Sequence, residues 1–316
     1  METDLRTISE SAAKSSPAIE ATYKSREVEG IVDLLFYRRI GFRVAQFCAG
    51  LNLTPTAVTI IGGVFGVVAG HFYFYRDVAI NLIGMALHIV ANIFDNADGQ
   101  LARLTNQQSR TGRILDPIID HIVWLSIYVH LALRLQRAGS SGAIWLLALA
   151  AGISHGLQAV AADYWRNAYL YFGKGRSDLD DASTIKEEYQ RYTWRSAAWL
   201  KMLVWLQFTW TREQEFLLGA AKKLHARLEN MFADTFPGWF RSRYAAAVLP
   251  TFKWWSLLMT NTRMLILFLL FLVRQPVWFF WLELVVGNLL LVYLIQRQQK
   301  ICRALLQILA TQAESA

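Results

Sequence analysis

Long stretches without charge constrain this chain more than any other feature. The 22 residues from Ser141 to Ala162 contain no Asp, Glu, Lys or Arg, and the stretch from Ala57 to Tyr75 is equally free of formal charge. A helix of about 20 apolar residues is long enough to cross the hydrocarbon core of a bilayer. The chain is also 54% hydrophobic over 316 residues, which exceeds the usual share in soluble domains. The sequence therefore predicts an all-α integral membrane protein.

Further apolar stretches bring the expected number of membrane spans to six. Six spans place both termini and the segment between spans four and five on the same side of the membrane. Seven Lys and Arg residues precede residue 51 and twelve lie between residues 173 and 252, all on that side. Basic loops remain preferentially in the cytoplasm, so we expect the termini to face it. The spans are placed at residues 57–75, 78–94, 114–133, 141–162, within 254–273 and within 277–295.

The remaining segments are polar or amphipathic. A basic, aromatic-containing stretch between spans four and five predicts a helical insertion at the cytoplasmic face or the membrane interface. It could bind a partner, cover the active site or anchor to lipid headgroups. The predicted boundaries are 1–28 for a disordered tail, 29–52 for an amphipathic juxtamembrane helix, 53–172 for spans one to four, 173–252 for the insertion, 253–296 for spans five and six, and 297–316 for a cytoplasmic tail.

The net charge of +8 is compatible with anionic lipids or an anionic nucleotide. Nucleic acid is not an expected partner, because the basic residues flank apolar runs and form no compact stripe. Cys48 and Cys302 are the two cysteines of the sequence, so no disulfide framework is expected.

Four carboxylates lie within 26 residues of one another at the ends of two expected spans. Asp95 and Asp98 are three residues apart and Asp116 and Asp120 are four apart, so each pair occupies one face of a helix. Two such helices in contact would bring all four carboxylates to one point, at a high cost near the membrane interior. Divalent cations offset this cost, and oxygen ligands favour Mg²⁺, Mn²⁺ or Ca²⁺. The spacing therefore predicts a metal site.

Small and basic residues accompany these carboxylates. Gly99 follows Asp98 directly, and Gly112 lies one helical turn before Asp116. A residue without a side chain lets a bulky ligand approach the backbone. Arg103 is four residues beyond Gly99 and can reach phosphate oxygens on the same face. Together these residues predict a site for a diphosphate.

The stretch resembles the CDP-alcohol phosphotransferase family, whose pattern is Asp-x2-Asp-Gly-x2-Ala-Arg-x8-Gly-x3-Asp-x3-Asp. The resemblance implies a transferase of phospholipid biosynthesis that moves a substituted phosphate group from a CDP-alcohol to an acceptor alcohol and releases CMP. It also implies a homodimer and two divalent cations, Mg²⁺ or Mn²⁺. The eight fixed positions of the pattern are occupied here by Asp95, Asp98, Gly99, Ala102, Arg103, Gly112, Asp116 and Asp120.

Residue roles follow from the resemblance. The metal ligands would be Asp95, Asp98, Asp116 and Asp120, and Asp120 would be the catalytic base, a metal ligand or both. Thr56 stands where relatives usually carry Asn. For Thr56, Thr59 and Ser109, the alternative to nucleotide binding is a plain capping or loop role. The implied nucleotide-binding positions are Thr56, Thr59, Gly99, Ala102, Arg103, Ser109 and Gly112.

Three residues outside the pattern have expected roles of their own. Arg166 closes the fourth span and Arg263 lies at the start of the fifth, where relatives with a phosphorylated acceptor carry basic residues. They indicate a phosphate-bearing polyol such as inositol phosphate or glycerol phosphate. The alternative is an arginine that only marks the membrane edge, with Glu283 as a partner for Arg263. His121 follows Asp120 but points about 100° away on a helix, so we expect a packed or interfacial residue.

The donor is expected to be CDP-diacylglycerol, and the site to face the cytoplasm of a bacterial inner membrane. A CDP-choline or CDP-ethanolamine donor with a lipid acceptor is the alternative within the family. A divalent-cation transporter and a non-catalytic membrane scaffold are the alternatives of other classes.

Overall fold

A computed structural model describes residues 27–30, 32–175, 179, 182–217, 219–232 and 235–314, and within these ranges the regular elements are helices. Most of the tail predicted for residues 1–28 lies outside the described residues. Six described segments are long and apolar enough to cross a membrane, which confirms the predicted fold class. These segments are Pro55–Phe72, Val78–Leu104, Arg110–Arg137, Ala143–Gly173, Gly238–Leu272 and Val277–Gln312.

The helices are numbered here in chain order, with short π-helical turns at Asp33–Tyr37, Tyr169–Gly173 and Leu282–Gly287. They are α1 (Arg38–Gly50), α2 (Pro55–Phe72), α3 (Val78–Leu104), α4 (Arg110–Arg137), α5 (Ala143–Ala168), α6 (Ala182–Arg191), α7 (Ala198–Leu217), α8 (Gly219–Phe232), α9 (Gly238–Val248), α10 (Phe252–Trp255), α11 (Thr260–Leu272), α12 (Val277–Trp281) and α13 (Asn288–Glu314).

The helices form two compact units. The first contains the described residues up to Gly152 together with Met264–Phe280, and the second contains Ile153–Arg263 and the described residues from Trp281 onward. The predicted domain boundaries at residues 172, 252 and 296 are not tested by this division and stay predictions. The same holds for the interfacial position of α1 and of the insertion.

Side-chain caps start α2 and α3. Asp77 accepts hydrogen bonds from the backbone N–H of Ala79 (2.7 Å) and of Ile80 at the start of α3. Thr54 accepts from the Ala57 N–H with Pro55 in the first turn of α2. These caps satisfy N–H groups that have no partner within the helix.

The α3 helix continues past the expected membrane span. Its bounds, Val78–Leu104, include the first acidic pair and Arg103, whereas the predicted span ended at residue 94. Arg110 and Arg113 likewise belong to α4. The connector is therefore only five residues long, and the signature residues are held on two rigid helices.

Glycines on α2 allow it to pack directly against both neighbouring helices. A Cβ atom at Gly62 would lie 2.9 Å from Cβ of Phe94 on α3, and one at Gly66 would lie 2.6 Å from Val123 on α4. Such separations are shorter than real Cβ contacts, so only glycine fits. Small residues are the usual means of close helix packing in membranes. The result is that α3 and α4 are both held on α2.

Aromatic residues fill the interior of the first unit. The rings of Trp124 and Phe279 stack at 6.0 Å between centroids, and those of Tyr128 and Phe280 stack at 5.5 Å. All four side chains are buried. The α12 helix is thereby packed against α4.

The interior of the second unit combines aromatic and amide side chains. Trp165, Trp255 and Tyr244 are fully buried. Gln158 of α5 donates to the Glu283 carbonyl (2.9 Å) and to Oδ1 of Asn288 (3.0 Å). These hydrogen bonds join α5 to the helical segment around α13.

Candidate active site

Three of the four predicted carboxylates, two from α3 and one from α4, come together in the structure. One oxygen from each of Asp95, Asp98 and Asp116 lies within 4.8 Å of the others, and the Asp95 and Asp116 carboxyl groups are in hydrogen-bonding reach. Asp98 is buried, and Asp95 and Asp116 are partly buried. Repulsion among three carboxylates at this spacing is costly unless a cation lies among them.

Asp120 lies one turn beyond Asp116 on α4 and is not a member of this triad. It is nevertheless close enough to Asp95 for the two carboxyl groups to interact electrostatically. Asp120 is partly buried and borders the triad. This position fits a proton acceptor beside a metal site and also fits a ligand of a second ion.

Thr59 is directed toward the triad rather than away from it. Its hydroxyl oxygen lies 2.5 Å from Oδ2 of Asp98 and 3.1 Å from the Pro55 carbonyl. Thr59 is also buried. In this arrangement the threonine hydroxyl donates to Asp98 and fixes the direction of that carboxylate. The structure thus gives Thr59 a contact that the sequence had not indicated.

Arg103 folds back along its own helix toward Gly99. A Cβ atom placed on Gly99 would stand 3.4 Å from Nη2 of Arg103. The guanidinium group therefore lies over the glycine that follows Asp98. A positive group beside exposed backbone and the carboxylate triad suits an anionic ligand that also contacts a cation.

Ser109 and Gly112 are linked by a helix cap. The Ser109 hydroxyl accepts a hydrogen bond from the Gly112 N–H at 3.0 Å, so Ser109 starts α4. Thr56 and Ala102 are partly buried on α2 and α3. Nucleotide binding by these four residues stays a prediction.

His121 is exposed, and its Nδ1 lies 2.5 Å from the Pro117 carbonyl one turn earlier on α4. This contact holds the imidazole against its own helix. It agrees with the expectation that His121 points away from the face occupied by Asp120.

The two arginines predicted to bind the acceptor belong to the second unit. Arg166 is hydrogen-bonded to Asp163 on the same helix. Arg263 is 2% exposed, and its Nε lies 3.1 Å from Oε1 of Glu283 while its Nη2 donates to Oε1 of Gln158 at 2.6 Å. A pair with Glu283 is what the sequence leads us to expect of Arg263 in the alternative to acceptor binding.

Gln158 was not identified from the sequence. It is completely buried and contacts Arg263, Glu283 and Asn288. A Cβ atom at Gly287 would lie 2.6 Å from its amide, so the glycine makes room for it. The available signal was an amide side chain within a 22-residue uncharged stretch, where a polar group needs a partner.

The triad fits a hard divalent cation. All its donors are carboxylate oxygens, and a largest separation of 4.8 Å is compatible with ligands around one ion of the size of Mg²⁺, Mn²⁺ or Ca²⁺. Imidazole or thiolate ligands would instead have indicated a softer metal.

Comparison with known proteins identifies related sequences. Residues 52–174 match the family model for CDP-alcohol phosphatidyltransferases. The archaetidylinositol phosphate synthase of Pyrococcus horikoshii is 36% identical over 92 residues, which are 29% of this chain and 47% of that protein. A Mycobacterium bovis protein named provisionally as a cardiolipin synthase is 41% identical over 44 residues, which are 14% of this chain and 21% of that protein.

The chain thus spans about half the length of the archaeal relative and about a fifth of the mycobacterial one. The matched region runs from the loop before α2 to the turn after α5 and contains the carboxylate triad together with Asp120 and Arg103. This match of residues 52–174 to the model for CDP-alcohol phosphatidyltransferases confirms the resemblance predicted from the eight-position pattern.

Proposed function

We propose that this protein transfers a substituted phosphate group from a CDP-alcohol to an acceptor hydroxyl and releases CMP. The observation that carries the proposal is the triad of Asp95, Asp98 and Asp116, assembled from two helices inside the region that matches the family. A cation transporter would also use carboxylates, but it would have no use for the arginine and glycines that accompany them.

Binding of the donor is assigned to the face of α3 and α4 that carries the triad. Two divalent cations, Mg²⁺ or Mn²⁺, would be held by Asp95, Asp98, Asp116 and Asp120 and would neutralise charge on the diphosphate and on the departing CMP. Arg103 lies over Gly99 and can donate to phosphate oxygens there. Gly99, Ala102 and Gly112 leave the backbone accessible, and Thr56 and Ser109 offer hydroxyl groups to the nucleotide.

Thr59 has a supporting role in this scheme. Its hydroxyl bonds Asp98, so it fixes the carboxylate that points into the site. A hydrogen bond to a metal-binding carboxylate orients the ligand before the cation arrives.

The proton of the acceptor hydroxyl is assigned to Asp120. As the acceptor oxygen forms its bond to phosphorus, its O–H bond breaks and the proton moves to the Asp120 carboxylate. The P–O bond to CMP breaks at the same phosphorus, and the proton later leaves to solvent. A base must lie in hydrogen-bond reach of the hydroxyl. The place of Asp120 beside the triad, but outside it, supports this role.

The donor is proposed to be CDP-diacylglycerol, and the acceptor a phosphorylated polyol bound through Arg166 and Arg263. The archaeal relative is named as an archaetidylinositol phosphate synthase, which agrees with an acceptor of this class. Arg263 is paired with Glu283, so it would bind a phosphate only by leaving or sharing that partner. A homodimer in a bacterial inner membrane, with the site and both termini facing the cytoplasm, completes the proposal.

The test is CMP release by the purified protein with CDP-diacylglycerol, Mg²⁺ or Mn²⁺ and a panel of acceptors. The panel contains glycerol 3-phosphate, inositol 1-phosphate, free inositol, serine and choline. Release with a phosphorylated polyol alone supports the whole proposal, and release with another member corrects the acceptor. If CDP-choline and CDP-ethanolamine with diacylglycerol are active instead, the lipid is the acceptor. If no CMP is released with any donor, the proposed activity is contradicted.

A further inference from the structure

A pair of histidines lies on α2 and α4, well away from the carboxylates. Nδ1 of His71 is 3.3 Å from Nε2 of His130. His130 is ten residues beyond Asp120 on the same helix, which places the two about 15 Å apart along its axis. The pair therefore belongs to a separate part of the first unit, and nothing in the proposed transferase mechanism uses it.

The glycine face of α2 fixes the position of this pair. A Cβ atom at Gly70 would lie 2.6 Å from Oγ of Ser126, so α2 and α4 are in backbone contact immediately beside His71. The Ser126 hydroxyl also donates to the Val67 carbonyl across the same interface at 3.0 Å. Because both helices are held at this distance, the two imidazoles already lie in contact and no helix has to move to bring them together.

Each ring has a second partner on its outer nitrogen. Nδ1 of His130 lies 2.8 Å from the Ser126 carbonyl, which can only accept, so this nitrogen carries the hydrogen and Nε2 presents a lone pair to His71. Nε2 of His71 lies 3.4 Å from the Tyr75 hydroxyl. When that Nε2 carries the hydrogen, Nδ1 also presents a lone pair, and neither nitrogen of the 3.3 Å pair carries a hydrogen.

Two nitrogens with free lone pairs at this separation are stabilised by a cation that lies off the line between them and within reach of both. Histidines that bind metals commonly donate their other ring N–H to a backbone carbonyl or a similar acceptor, as His130 does. Metal–nitrogen bonds of about 2.0–2.1 Å in a tetrahedral site place two ligand nitrogens about 3.3–3.4 Å apart. The observed separation of 3.3 Å falls in this range. Without an ion, the hydrogen of His71 moves to Nδ1 and bonds His130.

We propose that His71 and His130 form a binding site for a first-row divalent transition ion such as Cu²⁺ or Zn²⁺. Imidazole nitrogens select these ions, whereas the carboxylate triad selects harder ones. His71 and Tyr75 are exposed at the end of the first candidate span, Pro55–Phe72, where water of the headgroup region can complete the coordination. A bound ion ties the end of α2 to α4 and stabilises the helix pair that also carries part of the carboxylate site.

The experiment is Cu²⁺ binding to the full-length protein in detergent, purified with a tag that contains no histidine. Electron paramagnetic resonance detects hyperfine coupling from imidazole nitrogen, and Cu²⁺ at the carboxylate triad gives oxygen ligation without it. We expect nitrogen-coupled Cu²⁺ in the wild type and loss of this signal in both His71→Ala and His130→Ala. His121→Ala is the matched control, because His121 is an exposed histidine on α4.

Three further measurements accompany this experiment, and the first of them tests for misfolding. Mg²⁺-dependent CMP release or, failing activity, gel-filtration behaviour shows whether the histidine variants fold. Tyr75→Phe keeps both imidazoles and removes the outer partner of His71, so Cu²⁺ should bind about tenfold more weakly. Zn²⁺ should raise the Tm of the wild type but not of folded His71→Ala. A nitrogen signal that survives in either alanine variant, or its absence from the wild type, overturns the proposal.

Discussion

The Thr59 hydroxyl on α2 lies 2.5 Å from Oδ2 of Asp98 on α3, so the first membrane span holds a carboxylate that belongs to the second. Both residues are buried. The carboxylate triad is consequently part of a three-helix arrangement, in which α3 and α4 supply the oxygens and α2 sets the direction of one of them.

The Thr59→Val substitution should slow CMP release because it removes the hydrogen bond to Asp98 while keeping the shape of the side chain. Loss of a residue that orients a metal ligand typically costs about 10–100-fold in metal affinity or activity. The measurement is the rate of CMP release as a function of Mg²⁺ concentration, and we expect a higher half-saturating concentration. Thr105→Val is the control, since that hydroxyl bonds the Leu101 carbonyl of its own helix. Equal rates for the two variants would remove the role given to Thr59.

Replacement of Asp98 by Ala should abolish CMP release together with its dependence on Mg²⁺ or Mn²⁺. The buried carboxylate is one of three whose oxygens lie within 4.8 Å, and its loss leaves an incomplete ligand set. Radiolabelled Mn²⁺ binding provides a readout independent of turnover. Asp77→Ser serves as the control, because Ser also caps helices and Asp77 caps the opposite end of α3. Retained activity in Asp98→Ala would contradict the metal site.

The Asp120→Asn variant separates a base from a ligand. An amide has no proton-accepting carboxylate but nearly the same shape, so we expect nucleotide and Mn²⁺ binding to persist while turnover falls by about 10²–10⁴. Binding is measured with labelled CDP-alcohol, and turnover by CMP release. If binding and turnover are lost together, Asp120 is chiefly a metal ligand.

The buried pair of Arg263 and Glu283 allows a test that distinguishes acceptor binding from structure. Arg263→Ala leaves a buried carboxylate without its cation, and breaking such a pair typically destabilises a protein by about 3–5 kcal/mol. The double variant Arg263→Met with Glu283→Gln removes both charges and should recover most of the stability. If Arg263 binds the acceptor phosphate, the KM for the acceptor should remain raised in the double variant. A normal KM there would leave Arg263 a structural role.

Packing at the glycine face is tested by Gly66→Ala. The added Cβ would meet Val123 at 2.6 Å, so we expect a loss of about 1–3 kcal/mol in the free energy of unfolding and lower activity. Gly156→Ala is the matched control within α5, where a Cβ meets no neighbour within 4 Å. Thermal unfolding in detergent compares the two variants, and equal Tm values would show that α2 and α4 can separate without harm.

The sequence was sufficient for the spans and for the acidic cluster because both depend on local spacing. Asp95 with Asp98 and Asp116 with Asp120 show their helical faces directly, and the uncharged runs show their length. The second span was predicted to end at residue 94 because the apolar run stops at Phe94. The backbone continues to Leu104, since nothing between Asp95 and Arg103 breaks a helix apart from one tolerated glycine.

Contacts between distant positions could not be predicted in the same way. Thr59 and Asp98 are 39 residues apart, and Gln158 and Arg263 are 105 apart. Spacing along a helix says which face a residue occupies, but not which helix lies opposite. The glycines of α2 were visible in the sequence, yet their partners Phe94 and Val123 became known only from the packing.

The glycine face of α2 also limits how the chain can tolerate change. Where side chains fill a helix interface, a substitution can be absorbed by a different rotamer. At Gly62 an added Cβ would meet the Cβ of Phe94 and the backbone of Ala91, which no rotamer change can move, so the added atom must push a whole helix outward. The spacing between the two acidic pairs therefore depends on a rigid contact that lies outside the site itself. A methyl group placed at that contact would change the distance between the carboxylates without touching any of them.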